Sequence, residues 1–188
     1  MSQFDQVEDY DSVLPRHITQ YFLEKKTTGI LSALANSLDS KVPLRGLDLG
    51  CGTGDVVATL TRKLPKVQMV GLDSSIRMLS HATRKYPNLE FVYGDMMKLP
   101  FLDGYYDFVV AVNSLHHLQS YEEQFQVRDE VFRILKGKGA FVLNEMNTRN
   151  PVVKLYLRHI FPIYREFETG DEIPLHKDVL YGFEIRNV

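Results

Sequence analysis

An α/β domain built on a doubly wound, mostly parallel sheet is what this sequence predicts, on three observations. First, Leu44–Leu49 is a short apolar run that enters three alternating glycines, Gly50, Gly52 and Gly54, and an apolar helical pattern (Val56, Val57, Leu60, Leu64) begins directly after them. Second, further strand-length apolar runs, Val67–Leu72, Leu89–Gly94, Tyr106–Val112 and Ala140–Met146, alternate with amphipathic helical patterns, as parallel strands joined by crossover helices require. Third, three of these runs lead into Asp73, Asp95 and Asn113, polar groups at the carboxyl ends of strands, where open α/β sheets bind ligands.

The glycine loop narrows the ligand. A chain that turns sharply from strand to helix, and that lets a ligand approach its backbone, needs residues without Cβ. The dinucleotide fingerprint is G-x-G-x-x-G, with the pyrophosphate on the helix N-terminus. Here the spacing is Gly50-x-Gly52-x-Gly54, and Asp55 stands where that fingerprint wants its last glycine. A carboxylate beside a pyrophosphate is repelled, so the loop suits a nucleoside that carries a charged amino-acid tail and no phosphates. Read alone, the run is also compatible with a plain tight turn. In this form Leu47–Gly54 resembles motif I of the class I methyltransferases that use S-adenosylmethionine. The resemblance implies a Rossmann-like sheet, S-adenosylmethionine as cofactor, S-adenosylhomocysteine as product, and a binding loop made of Asp48, Gly50, Cys51, Gly52, Thr53 and Gly54.

Composition sets the bounds. The 188 residues suit a single domain, divided here into an N-terminal lid and helices (1–40), a cofactor-binding core (41–146) and a substrate-side and C-terminal segment (147–188). Hydrophobic residues at 44% and charged residues at 24% are ordinary globular values, and no apolar run approaches a membrane span. A net charge of −2 argues against a nucleic-acid partner held by phosphate contacts. Cys51 is the only cysteine, which rules out an intrachain disulfide and a cysteine-based metal site and fits a reducing, cytoplasmic compartment. No metal ligand set is expected, and the sequence does not indicate an oligomeric state.

Taken in order, residues 1–14 are acidic and carry Phe4, Val7, Tyr10 and Leu14, which read either as a tail or as a lid; the Phe4-Asp5 and Tyr10-Asp11 pairs resemble the aromatic–acid opening of small-molecule methyltransferases. From Pro15 to Leu38 the pattern is helical, with Ile18, Tyr21 and Phe22 in one apolar cluster and Leu31, Leu34, Ala35 and Leu38 in a second, and with Thr27 or Thr28 placed to cap a new helix between them. Asp73 ends the second strand, where its carboxylate can accept both hydroxyls of a ribose; it also reads as the cap of the following helix, a role that Ser74 or Ser75 could take instead. The resemblance sets Ser74 and Met78 beside the cofactor. Asp95, with Met96 after it, is suited to an adenine, the carboxylate accepting from the exocyclic amine and an apolar side chain covering the ring. The run Gly94–Phe101 resembles the family's G-D-x-x-x-L-P-F motif.

The fourth strand, Tyr106–Val112, exits through Asn113-Ser114-Leu115-His116-His117-Leu118. Its tip and that of the first strand should face one crevice, with Asn113 nearest the transferred methyl. His116 and His117 match the family pattern L-H-H-L; they are candidate catalytic bases, and equally a pair of which one packs inward and holds the loop. Where the family often has Ser, this chain has Val112, so a cofactor tail there must rely on backbone groups. Arg133-Ile134-Leu135-Lys136 before Gly139 and the strand Ala140–Met146 resembles the family's entry to its fifth strand. Beyond Asn150 a region rich in aromatics (Tyr156, Phe161, Tyr164, Phe167) loosely resembles the substrate-side insertion of quinone-biosynthesis C-methyltransferases. The family then adds two strands as an antiparallel hairpin, whereas Leu180–Val188 leaves room for one; a truncated chain and a shortened C-terminal strand hairpin are both open.

The function expected is methyl transfer to a small, apolar or aromatic acceptor, its cover drawn from the N-terminal segment and the region after the fifth strand. Two rivals differ in class: a nicotinamide-dependent oxidoreductase, opposed by Asp55 and the fingerprint's missing glycine, and a catalytically silent S-adenosylmethionine-binding subunit. An amino-directed nucleic-acid enzyme would carry an Asn/Asp-Pro-Pro-aromatic run where this chain has Asn113-Ser114-Leu115, and a cytosine C5 enzyme needs a nucleophilic cysteine outside the glycine loop.

Overall fold

The computed structural model describes residues 16–35 and 43–145. Helix α1 (Arg16–Ala35) precedes β1 (Leu44–Leu49), α2 (Asp55–Lys63), β2 (Val67–Asp73), α3 (Ile76–Lys85), β3 (Glu90–Tyr93), β4 (Tyr106–Val112), α4 (Tyr121–Ile134) and β5 (Leu135–Asn144). The strands form one sheet in the order β3-β2-β1-β4-β5. All four pairings are parallel, with Leu47 opposite Val70 on one side of β1 and opposite Val109 on the other. The expected doubly wound α/β architecture is therefore present, and its order reverses between β1 and β4.

Alternation along the strands builds two apolar layers. Leu47, Leu49, Val70, Leu72, Val109 and Ala111 face α4 (Val127, Val131, Ile134) and Leu99 from the β3–β4 connection. Leu44, Met69, Phe108, Val110 and Val142 face α1 (Ile30, Leu34), α2 (Val57, Leu60) and α3 (Leu79). On this second face, at the end of β1, lies Asp48, a charge-bearing residue in a position otherwise reserved for apolar side chains.

Two elements depart from expectation. Residues 16–35 are one helix, because Thr27 is buried and its hydroxyl donates to the carbonyl of Leu23 at 2.8 Å; bonded back to the preceding turn, it continues the helix and caps no new one. Tyr21 and Phe22 on that helix are exposed and stack edge to face. Helix α4 begins at Tyr121 because Ser120 is its cap: the Ser120 hydroxyl accepts the N–H of Glu123 at 3.2 Å. Strand β5 starts at Leu135, opposite Tyr106, and resumes at Ala140 opposite Phe108, so Lys136–Gly139 is an excursion within the strand. The lid residues Phe4 and Tyr10, the aromatics at 156–167 and the Leu180–Val188 strand lie outside the described residues.

No helix joins β3 to β4, and α4 holds that connection by polar contacts. Arg133 donates to the carbonyls of Leu99 (2.9 Å) and Phe101 (2.8 Å) and to Asp103, while Glu130 accepts the N–H of Leu99 at 2.7 Å. Replacing Arg133 with Met keeps the stem and removes these donors. Each lost hydrogen bond to a charged donor is worth about 1.5–3 kcal/mol before relaxation. Arg133→Met should lower the melting temperature by several degrees and raise hydrogen exchange across 99–103 while sparing β1 and β4, measured by calorimetry and mass spectrometry.

Candidate functional site

Strand β1 delivers its glycine loop against the tips of both neighbours. Gly50 and Cys51 donate N–H bonds to the carbonyl of Leu72 on β2 (2.8 and 2.9 Å), which bends the chain off the sheet. The φ of Gly50 is 75°, and a Cβ there would lie 2.6 Å from Cβ of Ser114, in the loop after β4. Only glycine lets the two loops close on each other. Gly54 (φ 81°) does the same toward the other side, where a Cβ would meet the ring of Phe91 at 2.6 Å and where α2 starts. Gly52 differs: a Cβ there would meet nothing within 4 Å, so its backbone borders open space at the mouth of the loop.

Asp73 bonds the mouth from β2. One carboxylate oxygen accepts the N–H of Gly52 at 2.8 Å and the other that of Ser75 at 2.8 Å. Helix α3 is capped by Ser75, whose hydroxyl accepts the N–H of Met78 at 3.2 Å. Of the two readings of Asp73, capping thus belongs to Ser75, while the Asp73 carboxylate bridges the loops after β1 and β2. A carboxylate oxygen can accept two donors, so this bridging leaves chemistry for a diol. Ser74 is exposed beside it, and Met78 is buried on the first turn of α3.

Asp48 is 1% exposed, and among the described residues neither of its carboxyl oxygens has a hydrogen-bond partner. Burial, with the nearby charge of Asp73, raises its pKa from an ordinary 3.8 to about 8. Cys51 is buried too, its sulfur packed near Gly71, so the thiol faces the core and only the backbone of Cys51 faces the loop. Burial raises the thiol pKa well above its usual value, which removes it as a nucleophile.

The remaining residues complete the rim. Thr53 donates to Asp55 at 2.8 Å, and Asp55 also takes the hydroxyl of Tyr86 (2.5 Å) and the ammonium of Lys85. The Asp55 charge is therefore turned to α3 and paired there, which removes the repulsion expected of it at the loop mouth; the spacing of the glycines alone distinguishes this loop from the dinucleotide fingerprint. Asp95 is exposed and accepts the N–H of Met97 at 2.8 Å. The Met96 methyl would lie 3.5 Å from a Cβ on Gly50, which brings the β3 exit to the same crevice. Asn113, at the tip of β4, holds φ 51° and donates its N–H to the carbonyl of Asn144; Asn tolerates this left-handed conformation better than most side chains. Val112 is half-buried against the α1–α2 layer.

The two histidines separate. His116 is buried, and its Nδ1 lies 2.7 Å from Oε2 of Glu145, while Oε1 of Glu145 accepts the N–H groups of Ser114 and Leu115 at 2.8 Å each. His117 stands next to it with ring centroids 4.0 Å apart. Burial and the neighbouring His116 lower the His117 pKa from 6.5 to about 3. A titration near 6.5, expected of a histidine base, therefore does not belong to His117. Sequence reasoning missed Glu145; the signal available was an acid at the end of the strand beside the L-H-H-L exit.

Within the described residues, then, the ends of β1, β2 and β4 and the Met96 turn meet around one crevice. Its features fit an adenosyl group bearing an amino-acid tail: open backbone at Gly52, a carboxylate at Asp73 for a diol, and a buried, unpartnered carboxyl at Asp48 for a cation. Comparison with known proteins defines the class. A family profile described as a methyltransferase domain matches residues 47–139. A demethylmenaquinone methyltransferase of Thermotoga maritima is 38% identical over 135 residues, covering 69% of this chain and 58% of that protein. Another, from Lysinibacillus sphaericus, is 30% identical over 161 residues, 74% of this chain and 68% of the relative. The solved PH0226 protein of Pyrococcus horikoshii is similar at 27% identity and a TM-score of 0.61, over 79% of this chain and 66% of its own. The chain belongs to the class I S-adenosylmethionine-dependent methyltransferases. It spans little more than half the length of the Thermotoga relative.

The buried carboxyl makes a pH-dependent prediction. A folded-state pKa raised above the unfolded one means that folded protein holds a proton at Asp48 that unfolded chain has released between pH 3.8 and about 8. Asp48's contribution is thus complete below that window and lost as pH rises through it. Asp48→Asn removes the proton from the balance, so the melting temperature of the variant should gain on that of the parent by several degrees between pH 5 and pH 8.5 in ligand-free scanning calorimetry. Parallel pH curves would show that Asp48 is charged in the fold.

Proposed function

We propose that this chain transfers the methyl of S-adenosylmethionine to a ring carbon of a small, largely apolar acceptor of the quinone class. The carrying observation is the similarity to demethylmenaquinone methyltransferases across the strands and loops that form the crevice. The cytoplasmic location and the single-domain division of the chain belong to the same proposal, and a small-molecule acceptor is preferred to nucleic acid.

In this reading the cofactor supplies an electrophilic methyl on a sulfonium, and the protein supplies alignment and exclusion of water. Asp73 accepts from the ribose hydroxyls while keeping its bonds to Gly52 and Ser75. Asp48, whose carboxyl has no hydrogen-bond partner among the described residues, takes the ammonium of the amino-acid tail and releases its own proton to solvent as that charge arrives. Backbone N–H groups of the glycine loop and Asn113 complete the tail site, as Val112 offers no donor. Asp95 and Met96 hold the adenine. A ring carbon that gains a methyl must lose a proton; a histidine kept neutral by burial is available to receive one, but at a pKa of about 3 His117 is a weak base, and an ionised acceptor hydroxyl lowers the demand on it.

Two measurements test the proposal. Calorimetric titration should show binding of S-adenosylmethionine and none of NAD, and Asp73→Ala should weaken that binding about tenfold or more, the cost of hydrogen bonds to a charged group. Turnover with a water-soluble demethylated naphthoquinol should add one methyl to the ring carbon, read by mass spectrometry. Cofactor binding without turnover on any quinol would favour the silent-subunit reading, and NAD binding would restore the oxidoreductase.

The left-handed loop predicts a separable effect at Gly52. Alanine there meets open space and a conformational cost on the order of 1 kcal/mol, so Gly52→Ala should fold with a slightly lowered melting temperature. Its affinity for S-adenosylmethionine should fall much further, because the added methyl occupies the ligand's space. Unchanged affinity would move the cofactor off this loop.

A further inference from the structure

The loop after β4 has no regular structure of its own beyond the single turn Leu115–His117, yet Ser114 is the group that Gly50 must accommodate. What holds it in place is a side chain from another strand. Glu145, immediately past the end of β5, buries its carboxylate (7% exposed) and uses both oxygens on this loop: Oε1 takes the N–H groups of Ser114 and Leu115, and Oε2 faces Nδ1 of His116, itself 3% exposed. These contacts bridge about thirty residues of sequence, and they cross from β5 to the exit of its neighbour. Among the described residues the buried Ser114 hydroxyl has no hydrogen-bond partner; it lies 3.3 Å from where a Cβ of Gly50 would be.

We infer that Glu145 is a positioning residue for the cofactor site, acting through Ser114 on the glycine loop and fixing His116 with its proton on Nδ1. The inference rests on the methyltransferase reading above and deepens it. A carboxylate only accepts hydrogen bonds, so the His116 nitrogen that faces it must be the one that carries hydrogen, and Nε2 is left as the basic nitrogen of the ring. Two peptide N–H groups bound to one oxygen hold the backbone of 114 and 115 in a fixed orientation, which sets the Ser114 side chain against Gly50. The loop that contacts the cofactor is in this way shaped from β5, three strand positions away from Asp73 in the sheet order β2-β1-β4-β5.

Glu145→Gln and Glu145→Ala separate the clamp from general stability. Glutamine keeps an oxygen for the two peptide N–H groups but presents an amide N–H to His116, which must then accept at Nδ1 and carry its proton on Nε2. The expected result for Glu145→Gln is a melting temperature close to the parent's and an S-adenosylmethionine affinity within about threefold of it, with the His116 tautomer inverted in long-range ¹H–¹⁵N spectra. Glu145→Ala should lose at least tenfold in affinity. Ser114→Gly removes the wedge beside Gly50 and keeps the backbone bonds; it should lose affinity to a similar degree with little change in melting temperature, and the double variant should be no worse than the weaker single one, as expected of residues acting in series. If Glu145→Ala does not fold, Ser114→Gly and Glu145→Gln carry the test. An unchanged tautomer in Glu145→Gln, parent-like affinity in Ser114→Gly, or additive losses in the double variant would each overturn the inference. Should the parent protein bind no S-adenosylmethionine, the functional reading fails instead, and the tautomer measurement still tests the Glu145–His116 contact.

Discussion

Strand β1 lies between β2 and β4, all three parallel, and the chain leaves β1 and β4 toward opposite faces of the sheet: α2 covers one and α4 the other. Parallel neighbours whose connections diverge leave a crevice beyond their carboxyl ends, which the backbone itself does not fill. Every polar feature of the site follows from that gap. The loop after β1 must bend sharply to give α2 a start, and the bend exposes the N–H of Gly52, which the Asp73 carboxylate accepts from the end of β2. The same bend presses Gly50 toward Ser114, which seats β4's exit against the glycine loop.

The cost of this arrangement falls on two carboxyls. Asp48 occupies a buried position on the face that packs on α1 and α2, where an apolar side chain would serve stability better, and it pays with a pKa displaced to about 8. The Glu145 side chain is also buried, at 7% exposed, but is satisfied by three donors from one loop. The contrast is informative about roles. A buried acid with a full set of donors holds structure, whereas the proposed function gives the buried acid without them a cation from outside the chain.

The β3–β4 connection shows a third device. It crosses from the sheet edge to the far side of β1 without a helix, so its backbone groups need partners from elsewhere, and α4 provides them through Arg133, Glu130 and Gln126. The motif R-x-L-K thereby acquires a physical meaning: Arg133 anchors the segment that follows Asp95 and Met96, Leu135 pairs with Tyr106, and Lys136 is bound to Asp107 at 2.8 Å.

Local pattern determined a good part of this protein. Apolar runs of strand length, alternating glycines before a helical period, and acids at the ends of runs are short-range signals, and they placed the strands and the order of the helices after the first loop. Caps and boundaries were less legible, because Thr27 and Ser120 compete for the same kinds of hydrogen bond in helix interiors and at helix starts, and burial decides between them. What only the tertiary structure decided was the pairing of side chains distant in sequence. Asp55 faces Tyr86 and Lys85 because α3 packs beside α2, and its charge is spent there; Glu145 reaches the L-H-H-L exit because β5 lies next to β4; and among the described residues nothing hydrogen-bonds the Asp48 carboxyl. Such contacts have no period and no fixed spacing, so they are set by which strands become neighbours, and that is a property of the folded sheet.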